Sequence, residues 1–306
     1  MFDILVAGEI NPDLILSGNV TPEFGQVEKL ADSARLTIGS SSAIFACGAT
    51  RLGLRVGFIG KCGEDVFGRF MLEEMHRSGV DISNVIMLPN AQTGLSVILN
   101  QGTDRAILTF PGLIASLKAD DVTDNLLHQT RHLHVASYFL QTALQPGLPD
   151  LFQRAKLAGV TTSLDTNWDP SGEWRGLTEL LQLTDVFLPN QNEAIAITGA
   201  ASVENALQSL SQTCQAVAIK CGNCGALAGR GNKTSSAPAL PVQVVDTVGA
   251  GDSFDAGFVY GWLNKWGLAE TLLLAIACGS LSTQAAGGTS AQPTLEEAMN
   301  YVQSIG

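Results

Sequence analysis

A chain of 306 residues with 45% apolar and only 15% charged residues can bury one large core, or a main body with a smaller appendage, and is not a disordered protein. Its net charge of −12 argues against nucleic-acid backbones and anionic membranes as partners. Six cysteines at this length do not read as a disulfide framework, "MFDILVAGEI" has no basic leader, and the apolar run Leu272–Cys278 is too short to span a bilayer; the expectation is a reduced, cytoplasmic protein.

In chain order, short apolar runs predict buried strands at Ile4–Gly8, Val56–Gly60, Leu133–Ser137, Thr161–Asp165, Val186–Pro189 and Val217–Lys220. Helical patterns fall between them near Ser42–Leu52, Asp65–Ser78, Pro149–Ala158, Asn192–Ile197 and Val203–Gln212, and the stretch from Gly251 to Gln284 is mainly helical. The alternation predicts an α/β, doubly wound fold with a mainly parallel central sheet flanked by helices. Ligands of such sheets sit at the carboxyl ends of the strands. Two segments, about 13–39 and 94–112, read as strands and turns without helix. The second is a hairpin with "QGTD" at its turn, and together they predict a small β lid on a single domain spanning 1–306.

No standard phosphate loop is present. "GFIGKC" has Arg55 where a P-loop needs glycine and Cys62 where it needs Ser or Thr, and no G-x-G-x-x-G follows an early strand. The stretch "DTVGAGDSFDAGF", Asp246–Phe258, is the stronger candidate. Gly249, Ala250 and Gly251 are small enough for backbone amides to approach an oxyanion, and the apolar run after them reads as a buried helix. Unpaired N–H groups at such a helix start, with the helix dipole, form an anion hole that needs no lysine. Asp252 falls in the first helical turn; read locally, it either serves the chemistry there or, like Ser253, caps the helix. Asp255, three residues on, shares its face.

"DTVGAGDSFDAGF" resembles the C-terminal signature of the ribokinase-like (PfkB) carbohydrate kinases, and further segments follow that family's order. "GEINPD" is similar to its early sugar-binding segment, with Asn11 and Asp13; "LPNQNEA" to its N-x-x-E motif, with Asn190 and Glu193; "SLDTNWDP" to its D-x-N strand end; and "IKCGNCGAL" to its K-x-G-x-x-G stretch, with Lys220, Gly222 and Gly225. The resemblance implies ATP-dependent phosphorylation of a primary hydroxyl on a sugar or sugar-like molecule, with Asp252 as general base and Gly249, Ala250 and Gly251 as anion hole. It implies a nucleotide beside Asn190, Lys220, Gly222, Gly225, Gly249 and Gly251, and Mg2+ near Glu193 through water. An acceptor would lie at Asn11, Asp13, Gly39 and Ser40, beside Asp252. Asp246 and Val248 match positions where some relatives bind a monovalent cation, which makes K+ a further expected cofactor.

"TIGSSSAIFACGATRLG" departs from the family pattern: the second of the paired glycines is Ser40, and Ile44 stands where an Asn that contacts sugar is expected. This weakens ribose as acceptor more than it weakens kinase activity, and leaves a nucleoside kinase and a catalytically inactive sugar- or nucleotide-binding protein as alternatives. Cys221 and Cys224 form a C-x-x-C with no second half to complete a zinc site, and read as buried thiols. His132 and His134 share one face of a strand without a third ligand, and Trp168 and Trp174 either stack on substrate or pack in a surface loop. Exposed lid strands could pair between two subunits, so the expected state is a monomer or a lid-mediated homodimer.

Overall fold

The computed structural model describes residues 1–101 and 104–305. Its eight-stranded sheet has the spatial order Lys233–Ala237, Ala226–Arg230, Ala216–Lys220, Val186–Phe187, Thr161–Leu164, His132–Val135, Ile4–Ala7, Val56–Ile59. The last six of these strands run parallel; the first two fold back antiparallel, so the sheet is mixed. The first strand shows why the parallel part reads as unbroken apolar sequence. Ile4 and Val6 point into one core with Phe45, Phe58 and Phe258, whereas Leu5 and Ala7 point into the other with Leu133, Leu148 and Phe152. Side chains alternate across a strand, and helices cover both faces, so every position must be apolar.

The expected strands and helices are all present, with ends shifted by a residue or two. The antiparallel strands Ala226–Arg230 and Lys233–Ala237, the short pair Lys61–Gly63 and Ile86–Leu88, and the helices Leu177–Leu183 and Leu295–Ile305 were not expected. "ALAGR" and "KTSSA" lack both a long apolar run and a clean alternation, which is why they escape a pattern reading.

A second, four-stranded sheet has the order Ser33–Ile38, Pro12–Ser17, Leu95–Gln101, Asp104–Phe110, and its strands fall in the two segments expected for a lid. The expected "QGTD" turn includes Gly102 and Thr103, which lie outside the described residues. Register puts Ser96 opposite Thr109 and Ile98 opposite Ile107. These four residues, with Asp13 and Arg105, line the cavity beneath the lid. Leu108 and Phe110 are exposed.

The helix Ala250–Leu263 is buried along most of its length between the helices Ser41–Arg51 and Leu268–Ser282. Its approach to the latter depends on missing side chains. A Cβ on Gly257 would lie 2.8 Å from the Ala275 Cα and 3.0 Å from the Cys278 sulfur. Gly257→Val must therefore push the two helices apart and is expected to cost about 1–3 kcal/mol. A urea-unfolding midpoint equal to that of the native chain would contradict this account of the packing.

Candidate active site

Five chain segments end on one cavity of about 660 Å³ at the carboxyl edge of the parallel strands, under the lid. Glu9 and Asn11 follow the strand Ile4–Ala7, and Asp165 and Asn167 follow Thr161–Leu164. Asn190 and Glu193 follow Val186–Phe187, Lys220 ends Ala216–Lys220, and Gly249–Asp252 opens the helix Ala250–Leu263. This is the crevice that a parallel sheet leaves for a ligand.

Gly249 is the N-cap of that helix, with φ 72°, and no side chain caps it. Asp252 and Ser253 lie inside the helix, so neither is its N-cap. Ser253 instead accepts a bond from the Gln292 amide at 3.0 Å. Gly249 has no room for a side chain, because a Cβ would meet the Gly288 Cα at 2.7 Å and the Ile44 Cγ2 at 2.9 Å. A left-handed, uncapped glycine start leaves the first N–H groups without intrahelical partners, beside the cavity that Gly249 and Gly251 line. That cradle fits an anionic phosphoryl group.

Around this turn the charges are dense and buried. The Lys220 ammonium lies 2.8 Å from Asp165 Oδ2 and 3.1 Å from both oxygens of Asp255. The carboxylates of Asp165, Asp252 and Asp255 approach within 4.8 Å of one another. Burial pushes the Asp252 carboxyl up to about 8; the Asp165 charge adds to this, and the Lys220 ammonium opposes it. Burial acts the same way on Asp165, but Lys220 and hydrogen bonds from Asp255 and the Asn167 N–H together outweigh it and hold that carboxyl below its usual range. Asp255 is held well above its usual range by burial, against the pull of Lys220. Burial and Lys220 thus drive the two acids apart, Asp165 toward its ionised form and Asp255 toward its protonated form. Lys220 stays charged, because its carboxylate neighbours outweigh the cost of burial.

Lys220, expected among nucleotide contacts, lines the cavity, and its ammonium bonds Asp165 and Asp255. Gly225, expected there too, is tightly packed in the fold. A Cβ there would lie 2.1 Å from the Ala237 carbonyl, so it serves the turn into the antiparallel strands, whereas Gly222 does line the cavity. Asn190 and Glu193 form a capping box: Glu193 accepts the Asn190 backbone N–H at 2.8 Å, and Asn190 Oδ1 accepts the Glu193 N–H at 3.0 Å. Burial and Asp165 push Glu193 up to about 7. Each of its oxygens keeps a lone pair beyond those bonds, so it fits a magnesium ion reached through water. Both oxygens of Asp246 are engaged, with the Val248 N–H at 3.0 Å and the Gly287 N–H at 2.9 Å, and only Val248 of that pair lines the cavity.

At the opposite end, Asn11 donates to the Ser96 hydroxyl at 3.3 Å, and burial pushes Asp13 up to about 7 although Arg105 pulls it down. Gly39 packs on this pair, since a Cβ would lie 2.2 Å from Asp13 Oδ1. Ser40 adopts φ 65°, a backbone geometry that favours glycine. Its hydroxyl compensates by capping the helix Ser41–Arg51 at the Ala43 N–H, 3.0 Å away, and by reaching the Glu9 carbonyl at 2.7 Å.

Sequence reasoning missed a second polar group here. The Asn167 side-chain amide donates to Ser41 at 2.7 Å and to Ser137 at 2.9 Å, and Ser137 donates to Glu9 at 2.9 Å. Asn167 and Ser137 both have positive φ, at 51° and 52°. Glu9 and Asn167 were visible only as members of short motifs at strand ends; nothing local in the sequence marks Ser137 or Arg105.

Among the other singled-out residues, His132 and His134 are buried and bonded to Ser163, each at 2.7 Å. All six cysteines are free, with Cys221 buried and Cys224 exposed. Trp168 and Trp174 pack edge to face, and Trp174 does the same with Phe139. Among the described residues no helix is long and apolar enough to cross a membrane.

Residues 1–295 match the pfkB family carbohydrate kinase pattern. The chain is 30% identical over 299 residues to the 2-dehydro-3-deoxygluconokinase of Bacillus subtilis (strain 168), covering 92% of this chain and 91% of that protein. It is 32% identical over 276 residues to a fructokinase of Klebsiella pneumoniae, covering 83% and 88%. Its structure superposes on an E. coli protein provisionally named ribokinase II, solved with ATP and Mg2+, with a TM-score of 0.89 and 25% identity over 99% of this chain and 100% of that one. A pattern that runs through both lid segments and the glycine turn, with relatives aligned along most of their length, makes the chain a member of the pfkB family of carbohydrate kinases.

Proposed function

We propose that this carbohydrate kinase transfers the terminal phosphoryl group of ATP to a primary hydroxyl of a sugar or sugar-like acceptor, with Asp252 removing the hydroxyl proton. The observation that carries this reading is the uncapped Gly249–Gly251 helix start, which lines the same cavity as Asp252 and the acceptor-side Asp13. The backbone amides hold the phosphoryl group, and Asn190, Gly222 and Val248 line the nucleotide side of the cavity. Bound Mg2+ would offset phosphate charge; Glu193 is the residue that would hold it through water. Asn11, Asp13, Gly39 and Ser40 grip acceptor hydroxyls, and closure of the lid excludes water.

Asp252 works as a base only when ionised. Its carboxyl is pushed up to about 8, so turnover rises with pH through that region and falls as protonation removes the base. Asp252→Ala is expected to lower kcat about 10²–10⁴-fold, while calorimetry shows ATP binding nearly intact. Near-native turnover in that variant would remove Asp252 from the role.

The acceptor is decided by a panel of hexoses, ketohexoses, sugar acids and adenosine, read as acceptor-dependent ADP release. At least one sugar or sugar acid is expected to react. Reaction of adenosine alone would replace the sugar reading with a nucleoside kinase, and ADP release blind to acceptor would favour the binding-protein alternative. The same assay tests the cation reading: exchange of K+ for a bulky organic cation slows turnover if Asp246 and Val248 hold K+.

The outer face of the lid supports a homodimer. Leu108 and Phe110 are exposed on it, and the segment between its first two strands exposes Phe24 and Leu30. Sedimentation is expected to give a dimer mass that Leu108→Asp converts to a monomer mass; a monomer at high concentration in the native chain would refute the pairing.

A further inference from the structure

We propose that Lys220 is a positioning residue for phosphoryl transfer, whose buried ammonium ties two strand ends to the anion-hole helix and offsets the carboxylates that crowd Asp252. This rests on the kinase reading above, and concerns a residue that a motif reading gives to the nucleotide.

The ammonium bonds Asp165, just beyond the strand Thr161–Leu164, and Asp255, in the helix Ala250–Leu263. Lys220 itself ends the strand Ala216–Lys220, where its backbone pairs with the Pro189–Asn190 segment. One cation thus joins the sheet to the helix whose first turn forms the phosphate cradle. It also lies directly behind that cradle, because a Cβ on Gly251 would be 3.6 Å from Lys220 Nζ. With both Asp165 and Asp255 inside bonding distance, the ammonium is spent on the protein's own carboxylates.

The second consequence is electrostatic. The charged groups that act on Asp252 are Asp165 from one strand end, Lys220 from the strand two places along the sheet, and Glu9 beyond the first strand. Asp255 lies on its own helix, and Glu193 lines the same cavity from the helix Gln191–Thr198. All of these except Lys220 are acids. Without the ammonium, Asp252 would share a dry pocket with an ionised Asp165 and would keep its proton to higher pH, where it cannot act as a base. Neutralising Asp165 has the opposite effect. The two charges therefore act on Asp252 with opposite sign, and a purely mechanical prop would not.

The test is the pH profile of kcat for three full-length variants. Lys220→Met is expected to move the ascending limb up by about one unit, which costs about tenfold in kcat on the acid side and is recovered at higher pH. Asp165→Asn is expected to move the limb down. The charge-balanced double variant, Lys220→Met with Asp165→Asn, is expected to return it close to its native place. The KM for ATP stays within about threefold in all three, as expected for a change in the base and not in nucleotide binding. A limb that stays put in Lys220→Met while the KM for ATP rises would return Lys220 to the nucleotide and overturn the proposal. Should Lys220→Met fail to fold, Asp165→Asn and the double variant still decide: an unmoved limb in Asp165→Asn sinks the electrostatic role. If the native chain shows no acceptor-dependent turnover, the kinase reading is what has failed. Titration of the Asp252 carboxyl by ¹³C NMR, in the native and variant chains, then reads the effect of Lys220 without catalysis.

Discussion

The structure turns on one buried ammonium among three buried acids. A lysine placed in a protein interior must find opposite charge or give up its proton, and Lys220 finds Asp165 and Asp255. Those partners come from different parts of the chain, so satisfying one charge fixes where a strand end and a helix must meet. Breaking such a pair by removing one partner typically costs about 3–5 kcal/mol, because the other is left unpaired in a dry site. The cluster is thus a constraint on geometry more than a source of net stability. The geometry it constrains is that of the helix start lining the cavity.

That constraint explains how a chain with a net charge of −12 can hold a phosphate at all. Long-range attraction is not available, so the site relies on local and rigid elements. Backbone N–H groups at the uncapped Gly249 turn supply partial positive charge that no acid can neutralise by pairing. Lys220 stands behind them, and its proximity to Gly251 adds to the field at the same place. Burial works against ionisation of Asp252 and Asp255, and Lys220 works for it, so the ammonium sets how much charge the cluster can carry. Crowded acids and a helix start that fits a phosphoryl group are compatible because the Lys220 ammonium sits among those acids.

What was legible in the sequence follows from how local the cause is. The parallel strands read clearly because two cores demand apolar residues at every position, as Ile4–Ala7 shows. The glycine turn read clearly because Gly249, Ala250, Gly251 and Asp252 are consecutive in the chain. The antiparallel strands after Gly225 did not, since partial exposure leaves "KTSSA" polar and a bare Gly229 faces the Ser211 side chain. The partner of Lys220 could not be read either. Asp255 is thirty-five positions away and Asp165 fifty-five, and only the sheet order brings the three together. From sequence Asp255 could be placed only on the helix face of Asp252; its partner Lys220 lies on a strand.

The same logic applies to the two departures from the family pattern. Ser40 occupies a glycine geometry, and its hydroxyl recovers part of the strain by capping the helix and bonding Glu9. Ile44 stands where a polar contact would be expected, and packs against the backbone of Gly249 and Gly288 instead. An apolar side chain at that spot packs under the Gly249 turn and withdraws a hydrogen-bonding group from the cavity it lines. The polarity reappears across the cleft: Asn167, held at positive φ, bonds Ser41 and Ser137, and through Ser137 reaches Glu9. Both amide protons of Asn167 are taken by serines, so its side chain is fixed by its neighbours at the cavity wall. The loss of one polar side chain at Ile44 therefore does not leave the cavity apolar, since Asn11, Asp13, Ser96, Arg105 and Asn167 all line it.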